Sequence, residues 1–138
     1  MKVRDLMTRE PLTVDVDTPV VDARRMMLKH GIRHLLVEDG ARLVGIVTDR
    51  DIRLTLPSPA TSLSAWEINY LLARMTVDSV MTGTVITVDP DRDAQDAVRI
   101  MVDHKIGALP VTDGGSLVGI ITETDVLRAF AGGIGVYA

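Results

Sequence analysis

The residues best placed to do chemistry lie in two stretches 74 positions apart, Gly45-Ile46-Val47-Thr48-Asp49-Arg50-Asp51 and Gly119-Ile120-Ile121-Thr122-Glu123-Thr124-Asp125. Each ends in Thr-x-x-Asp, the spacing of a capping box whose acid reaches back to the start of a helix and is favoured there by the helix dipole. The first stretch also places Asp49-x-Asp51 after an apolar run, as a phosphohydrolase would with Asp49 as nucleophile. That chemistry needs further carboxylates and a lysine from a larger domain. Lysine occurs only at positions 2, 29 and 105, and Glu123 replaces the nucleophile in the second stretch. The chain has no cysteine, and no P-loop, zinc motif or nucleophile elbow. An enzyme is not the expected reading.

The elements that would position these residues come in duplicate. Aligning Val3–Leu54 with Val77–Arg128 needs no gap and matches 23 of 52 positions, which establishes an internal repeat. In each copy a short β-branched run, Leu12-Thr13-Val14 or Ile86-Thr87-Val88, predicts a first strand. Thr18-Pro19 offers an N-cap and a first-turn proline, and Val20, Ala23 and Met27 recur at helical spacing up to His30. Ala94, Ala97, Met101 and His104 repeat that face, the histidines serving the helix ends. Two strands joined through Asp39-Gly40 or Asp113-Gly114-Gly115 follow, then a helix from Asp49 or Glu123. The expected class is α+β, with α/β-like βαββα units at 1–54 and 77–130 packed as a pseudo-twofold pair, since a unit of about 50 residues cannot bury its own sheet. Residues 55–76 read as a helical linker: Ser64-Ala65-Trp66-Glu67 has capping-box spacing ahead of Ile68, Leu71, Leu72 and Met75. Trp66 and Tyr70 are expected to anchor that helix on a core or dimer surface. Residues 131–138, rich in glycine, read as a flexible tail.

Composition bounds the partners. Hydrophobic residues make up 46% and charged residues 25% of 138, a globular balance that excludes disorder. A net charge of −4 supplies no field for a nucleic-acid backbone, and four aromatic residues make no stacking platform. No apolar run has signal-peptide or membrane-spanning length, so a cytoplasmic protein without a membrane partner is expected.

Both stretches resemble the Gly-hydrophobic-x-Thr-x-x-Asp signature of CBS domains. Met7-Thr8, Thr13-Val14, Ile106-Gly107-Ala108-Leu109-Pro110-Val111 and Asp113 also stand where that family places such residues, so the two copies look like one Bateman module. The linker resembles the acetoin-utilisation-type subgroup, without the C-terminal ACT-like domain that its members often carry. The resemblance implies a regulatory sensor without a covalent cofactor, binding AMP, ADP, ATP or S-adenosylmethionine in clefts between the repeats and acting on an enzyme or transporter. It implies that Asp51 or Asp125 accepts hydrogen bonds from ribose hydroxyls, a task suited to a two-oxygen acceptor. Thr48 or Thr122 would lie beside ribose or phosphate, and Ile46, Ile120, Leu12 and Ile86 against adenine. One cleft would join Ile120, Thr122 and Asp125 to Leu12, Thr18, Ala23, Ile32, Arg33 and His34. The other would join Ile46, Thr48 and Asp51 to Ile86, Arg92, Ala97, Ile106 and Gly107. With Arg33-His34 beside it, the Asp125 cleft is expected to hold phosphorylated ligands more tightly. A homodimer is expected, through outer helix faces bearing Met26, Leu28, Ile52, Val102 and Val126. The rival reading is a module that binds no ligand and serves dimerisation or partner docking.

Overall fold

A computed structural model describes residues 1–57 and 61–133 of the chain. Its elements are α1 (Val3–Leu6), β1 (Thr8–Arg9), β2 (Thr13–Asp15), α2 (Val20–His30), β3 (His34–Asp39), β4 (Arg42–Thr48), α3 (Asp49–Arg53), α4 (Ala65–Ala73), a 3-10 turn (Val77–Ser79), α5 (Ala94–His104), β5 (Ala108–Asp113), β6 (Ser116–Thr122) and α6 (Glu123–Gly133). The fold is α+β, with two units of similar build.

The units do not follow the repeat boundaries. Leu12–Thr84 forms one unit, while Met1–Pro11 joins the chain from Val85 onward in the other. The first residues of each repeat therefore pack on the sheet of the other repeat. In the unit starting at Leu12, β2 pairs in parallel with β3, β3 pairs antiparallel with β4, and Ile46 on β4 bridges Thr82. In the unit holding both the N-terminal segment and the second repeat, β1 pairs antiparallel with β6, β6 with β5, and Val88 bridges β5 at Val111.

A first strand over 86–88 is thus reduced to one bridge. Leu36 donates its N–H to the Leu12 carbonyl at 3.4 Å and Val16 donates to Glu38 at 3.2 Å. The equivalent residues are Pro110 and Pro90, which have no N–H to give. What survives are the two bonds of Val88, to Pro110 and from Thr112.

Each unit has its own apolar core. Val14, Val20, Ala23, Met27, Leu35, Val37, Val47, Ile52 and Val77 form one, and Val3, Val88, Ala97, Met101, Leu109, Val111 and Ile121 the other. Ile52, expected on an outer face, is 1% exposed, because the short helix α3 turns it onto the core. Met26 and Val126 are half-buried against the cores, whereas Leu28 and Val102 are exposed as expected.

Helix ends differ in part from the sequence reading. Thr18 spends its hydroxyl on the Asp15 N–H at 3.1 Å, so α2 begins one residue later, with Pro19 at the N-cap and no side-chain cap. The capping boxes at Thr48/Asp51 and Ser64/Glu67 form. Trp66 and Tyr70 do not pack on the core: both are exposed, stack on each other at 5.4 Å, and Tyr70 carries the Arg74 guanidinium 4.1 Å from its ring centre. At the far end, α6 continues through residues 131–133, the start of the stretch expected to be a flexible tail. Positions 58–60 and 134–138 lie outside the described residues.

Candidate functional site

The strand-to-helix turn after each hairpin carries the Thr-x-x-Asp residues. The turn is fixed from both sides, since Asp49 donates its N–H to the Arg33 carbonyl at 2.9 Å and Glu123 donates to Gly107 at 3.0 Å. Each signature glycine has a steric reason. A Cβ on Gly119 would stand 2.9 Å from the Thr8 carbonyl and 2.7 Å from the Met7 sulfur; on Gly45 it would meet Thr82 and Met81 at 3.0 and 2.5 Å. Only glycine admits the crossing segment so closely.

Asp125 is the one buried charged residue among those described, at 8% exposure. Its Oδ2 accepts from the Thr122 backbone at 2.9 Å and from the Thr122 hydroxyl at 3.0 Å. Its Oδ1 accepts from the hydroxyl of Thr8 at 3.0 Å, a residue 117 positions earlier. Thr8 is delivered by β1 in register with Ile120, and the N-terminal segment is tied down again where Arg4 hydrogen-bonds Asp91 at 2.8 and 2.6 Å. That guanidinium, with Lys2 nearby, holds the exposed Asp91 carboxyl below the usual carboxylate range.

Asp51 is held differently. It is half-exposed, and its Oδ2 accepts the Thr48 N–H at 2.9 Å while its own N–H donates to Thr48 Oγ1 at 3.0 Å. Thr82, the counterpart of Thr8, reaches β4 through its backbone, exchanging bonds with Ile46 at 2.9 and 3.1 Å. Its hydroxyl makes no bond to Asp51, and Asp51 Oδ1 accepts none from any described residue. Both threonines stand in repeated Met-Thr pairs, so the duplication marked Thr8 without revealing that it bonds the signature acid.

The other expected residues fall as follows. Ala23 and Ala97 are fully buried in the two cores, and Leu12, Ile32, Ile86 and Ile106 pack against those cores from partly exposed positions. The alanines offer no surface to a sugar; helix–sheet contact accounts for them. Thr18 is engaged in the turn with Asp15, and Arg92 in an ion pair with Asp96 at 3.3 Å. His34 stands opposite Thr48 on the adjoining strand, and Ala108 opposite Thr122. Arg33 and His34 therefore share a unit with Asp51, and Gly107 and Ala108 with Asp125; the expected pairing of Arg33 with Asp125 joins residues of different units. Asp49, the candidate nucleophile, is bound by Arg53 at 2.9 Å. Among the described residues no group of His, Asp and Glu could hold a metal ion, and no helix is long and apolar enough to cross a membrane.

Comparison with known proteins agrees with this architecture. The pattern of the CBS domain matches residues 3–58 and 77–132. The chain belongs to the CBS-domain family. It is 35% identical over 134 residues to the uncharacterized protein MJ1404 of Methanocaldococcus jannaschii, covering 94% of this chain and 32% of that protein. It spans less than half the length of the first curated relatives it matches, 23% in the case of the inosine-5'-monophosphate dehydrogenase of Korarchaeum cryptofilum. Among solved structures, a putative acetoin utilization protein (AcuB) from Vibrio cholerae superposes with a TM-score of 0.80 at 32% identity, covering 99% of this chain and 95% of that one. The CBS domain pair of protein MJ0100, solved with 5'-methylthioadenosine and S-adenosyl-L-methionine, gives 0.78 at 27% identity, with coverage of 96% and 98%. This CBS pair thus sits in a family of regulatory modules whose solved members include one with adenosyl ligands bound.

Proposed function

We propose that the pair is a regulatory sensor of adenosyl compounds, an adenine nucleotide or S-adenosylmethionine, bound without turnover at the signature carboxylates. The observation that carries the reading is the duplicated Thr-x-x-Asp turn, built twice at the end of a hairpin by the same backbone bond to the residue just before the hairpin's first strand. Each turn offers a carboxylate able to accept two vicinal hydroxyls, flanked by an aliphatic residue, Ile46 or Ile120. The adenosyl ligands of the MJ0100 pair support the class. Binding would act on an enzyme or transporter by favouring one arrangement of the protein over another. Titration of the purified chain with AMP, ADP, ATP, S-adenosylmethionine and 5'-methylthioadenosine, followed by calorimetry and melting temperature, tests this. A ligand at 100 times its dissociation constant stabilises by about 2.7 kcal/mol. No heat and no melting shift with any of the five would refute the reading, and release of phosphate well above buffer would refute the absence of turnover.

A second reading, assembly through a helix face, rests on a separate observation. An open apolar groove of about 450 Å³ runs between α5 and α6, lined by Val98, Met101, Val102, Lys105, Ile106, Glu123, Val126 and Leu127. Val102, Leu127 and Phe130 are each more than two-thirds exposed, an apolar surface that a second copy would cover in a homodimer. Light scattering that returned the monomer mass across micromolar concentrations would overturn it.

A further inference from the structure

We infer that the two signature carboxylates fill in a fixed order, Asp51 before Asp125, and that the Thr8 hydroxyl sets this order by acting as an intramolecular competitor for Asp125. The inference rests on the adenosyl-binding reading above and adds which site fills first and which residue decides it. A carboxylate recognises a pair of vicinal hydroxyls by accepting from both, so its standing commitments decide what it has left to offer. At Asp125, Oδ2 is taken twice by Thr122 and Oδ1 is taken by Thr8 at 3.0 Å. At Asp51, Oδ2 carries a single bond from Thr48 and Oδ1 accepts nothing among the described residues. Exposure runs the same way, with Asp125 buried and Asp51 half-exposed.

Thr8 behaves as a competitor because of how it is held. It is itself exposed, so its hydroxyl has water as an alternative partner, and the β1–β6 ladder that delivers it is two residues long. A ligand hydroxyl arriving at Oδ1 displaces a bond that the protein can surrender without burying an unpaired donor. It must nevertheless displace it, and among the described residues the Asp51 site has no such bond to lose, because Thr82 contributes only its backbone to Ile46.

Adenosine is the probe, since it carries the vicinal hydroxyls and no phosphate. Calorimetric titration of the full chain is expected to resolve two events, the tighter removed by Asp51→Ala and the weaker by Asp125→Ala. Thr8→Val keeps the β-branched shape and removes the hydroxyl. It should strengthen the weaker event about fivefold, the worth of one ordinary hydrogen bond, and leave the tighter one unchanged. Two-dimensional NMR of the free variant shows whether β1 stays docked on β6, which separates loss of the hydroxyl from loss of the segment. Loss of the tighter event in Asp125→Ala would overturn the order while leaving the adenosyl reading intact. An unchanged or weakened second event in a docked Thr8→Val protein would overturn the role of Thr8. Absence of any adenosine binding, with heats from the other adenosyl compounds, would overturn the ribose-based order alone; absence of all binding would refute the reading and the inference together.

Discussion

Replacing Asp125 by alanine should cost this protein far more stability than replacing Asp51, although the two occupy the same place in a repeated motif. Asp125→Ala removes three hydrogen bonds to a charged acceptor, from Thr8, Thr122 N–H and Thr122 Oγ1. Bonds to charged groups are worth about 1.5–3 kcal/mol each where fully buried, but two of these share one residue and Thr8 regains water on losing its partner. Relief of the desolvation that burial imposes on the carboxylate subtracts further. The net expectation is a loss of about 2–3 kcal/mol. Asp51→Ala removes a single cap bond at a half-exposed position, worth about 1 kcal/mol. At about 2.1 cal/mol/K of unfolding entropy per residue, a chain of this length loses roughly 7–10 °C of melting temperature in the first variant and 3–4 °C in the second. Urea denaturation of the ligand-free protein at neutral pH measures both. A double-mutant cycle of Asp125→Ala with Thr8→Val isolates the long-range bond, with an expected coupling of about 1 kcal/mol. Equal losses in the two aspartate variants, or a coupling indistinguishable from zero, would refute the claim that the Thr8 bond distinguishes the signatures.

Lys105 ends α5 at φ +54°, where the first repeat has Gly31 at +63°; Lys105→Gly should raise the urea midpoint by about 0.5–1 kcal/mol of stability, the left-handed region being costly to a side chain. Gly119→Ala places a methyl 2.9 Å from the Thr8 carbonyl and should destabilise by about 1–3 kcal/mol, with faster tryptic cleavage at Arg4 and Arg9 as the N-terminal segment loosens. The Arg4 hydrogen bond lowers the Asp91 carboxyl's titration, so its contribution is present above the ordinary carboxylate value and lost as pH falls through the lower folded value. The stability deficit of Asp91→Asn measured at pH 7 should therefore shrink below about pH 4. Arg33 shares its unit with Asp51, so Arg33→Ala should weaken AMP about fivefold to tenfold more than adenosine, and in the event that Asp51→Ala removes; equal losses for the two ligands would refute a phosphate contact.

What the sequence disclosed and what it withheld divide along the range of the interactions. The hairpin turns at Gly40 and Gly114, the helix faces of Ala23 and Met27, and the boxes at Thr48/Asp51 and Ser64/Glu67 are decided within a few residues, so spacing alone located them. The partner of the N-terminal segment is decided at a separation of over a hundred residues. Val3-Arg4-Asp5-Leu6 is too short to advertise a helix, and its site on the second repeat depends on a missing side chain at Gly119. The lost first strand of the second repeat was readable in principle. The consequence of Pro90 and Pro110 emerges only once they are seen to replace Val16 and Leu36, whose N–H groups donate to the neighbouring strand in the other copy. Thr18 failed as a cap for a local reason, since a turn back to Asp15 competed for the same hydroxyl.

Duplication makes this chain its own control, because each position in one repeat has a counterpart under nearly the same backbone. Differences between counterparts are then attributable to the side chains that differ. The sequence directed attention to Arg33-His34 against Gly107-Ala108, and from the family pattern assigned the cations to Asp125 and tighter binding with them. The order proposed above is the opposite, on two grounds. His34 stands opposite Thr48 and the Arg33 carbonyl accepts from Asp49, whereas the bond from Thr8 preoccupies Asp125. Both differences act in one direction, making Asp51 the more open acceptor and the one that shares its unit with Arg33. A sensor built this way would answer first to the ligand at Asp51, and the second carboxylate would report only concentrations high enough to displace a bond the protein makes to itself.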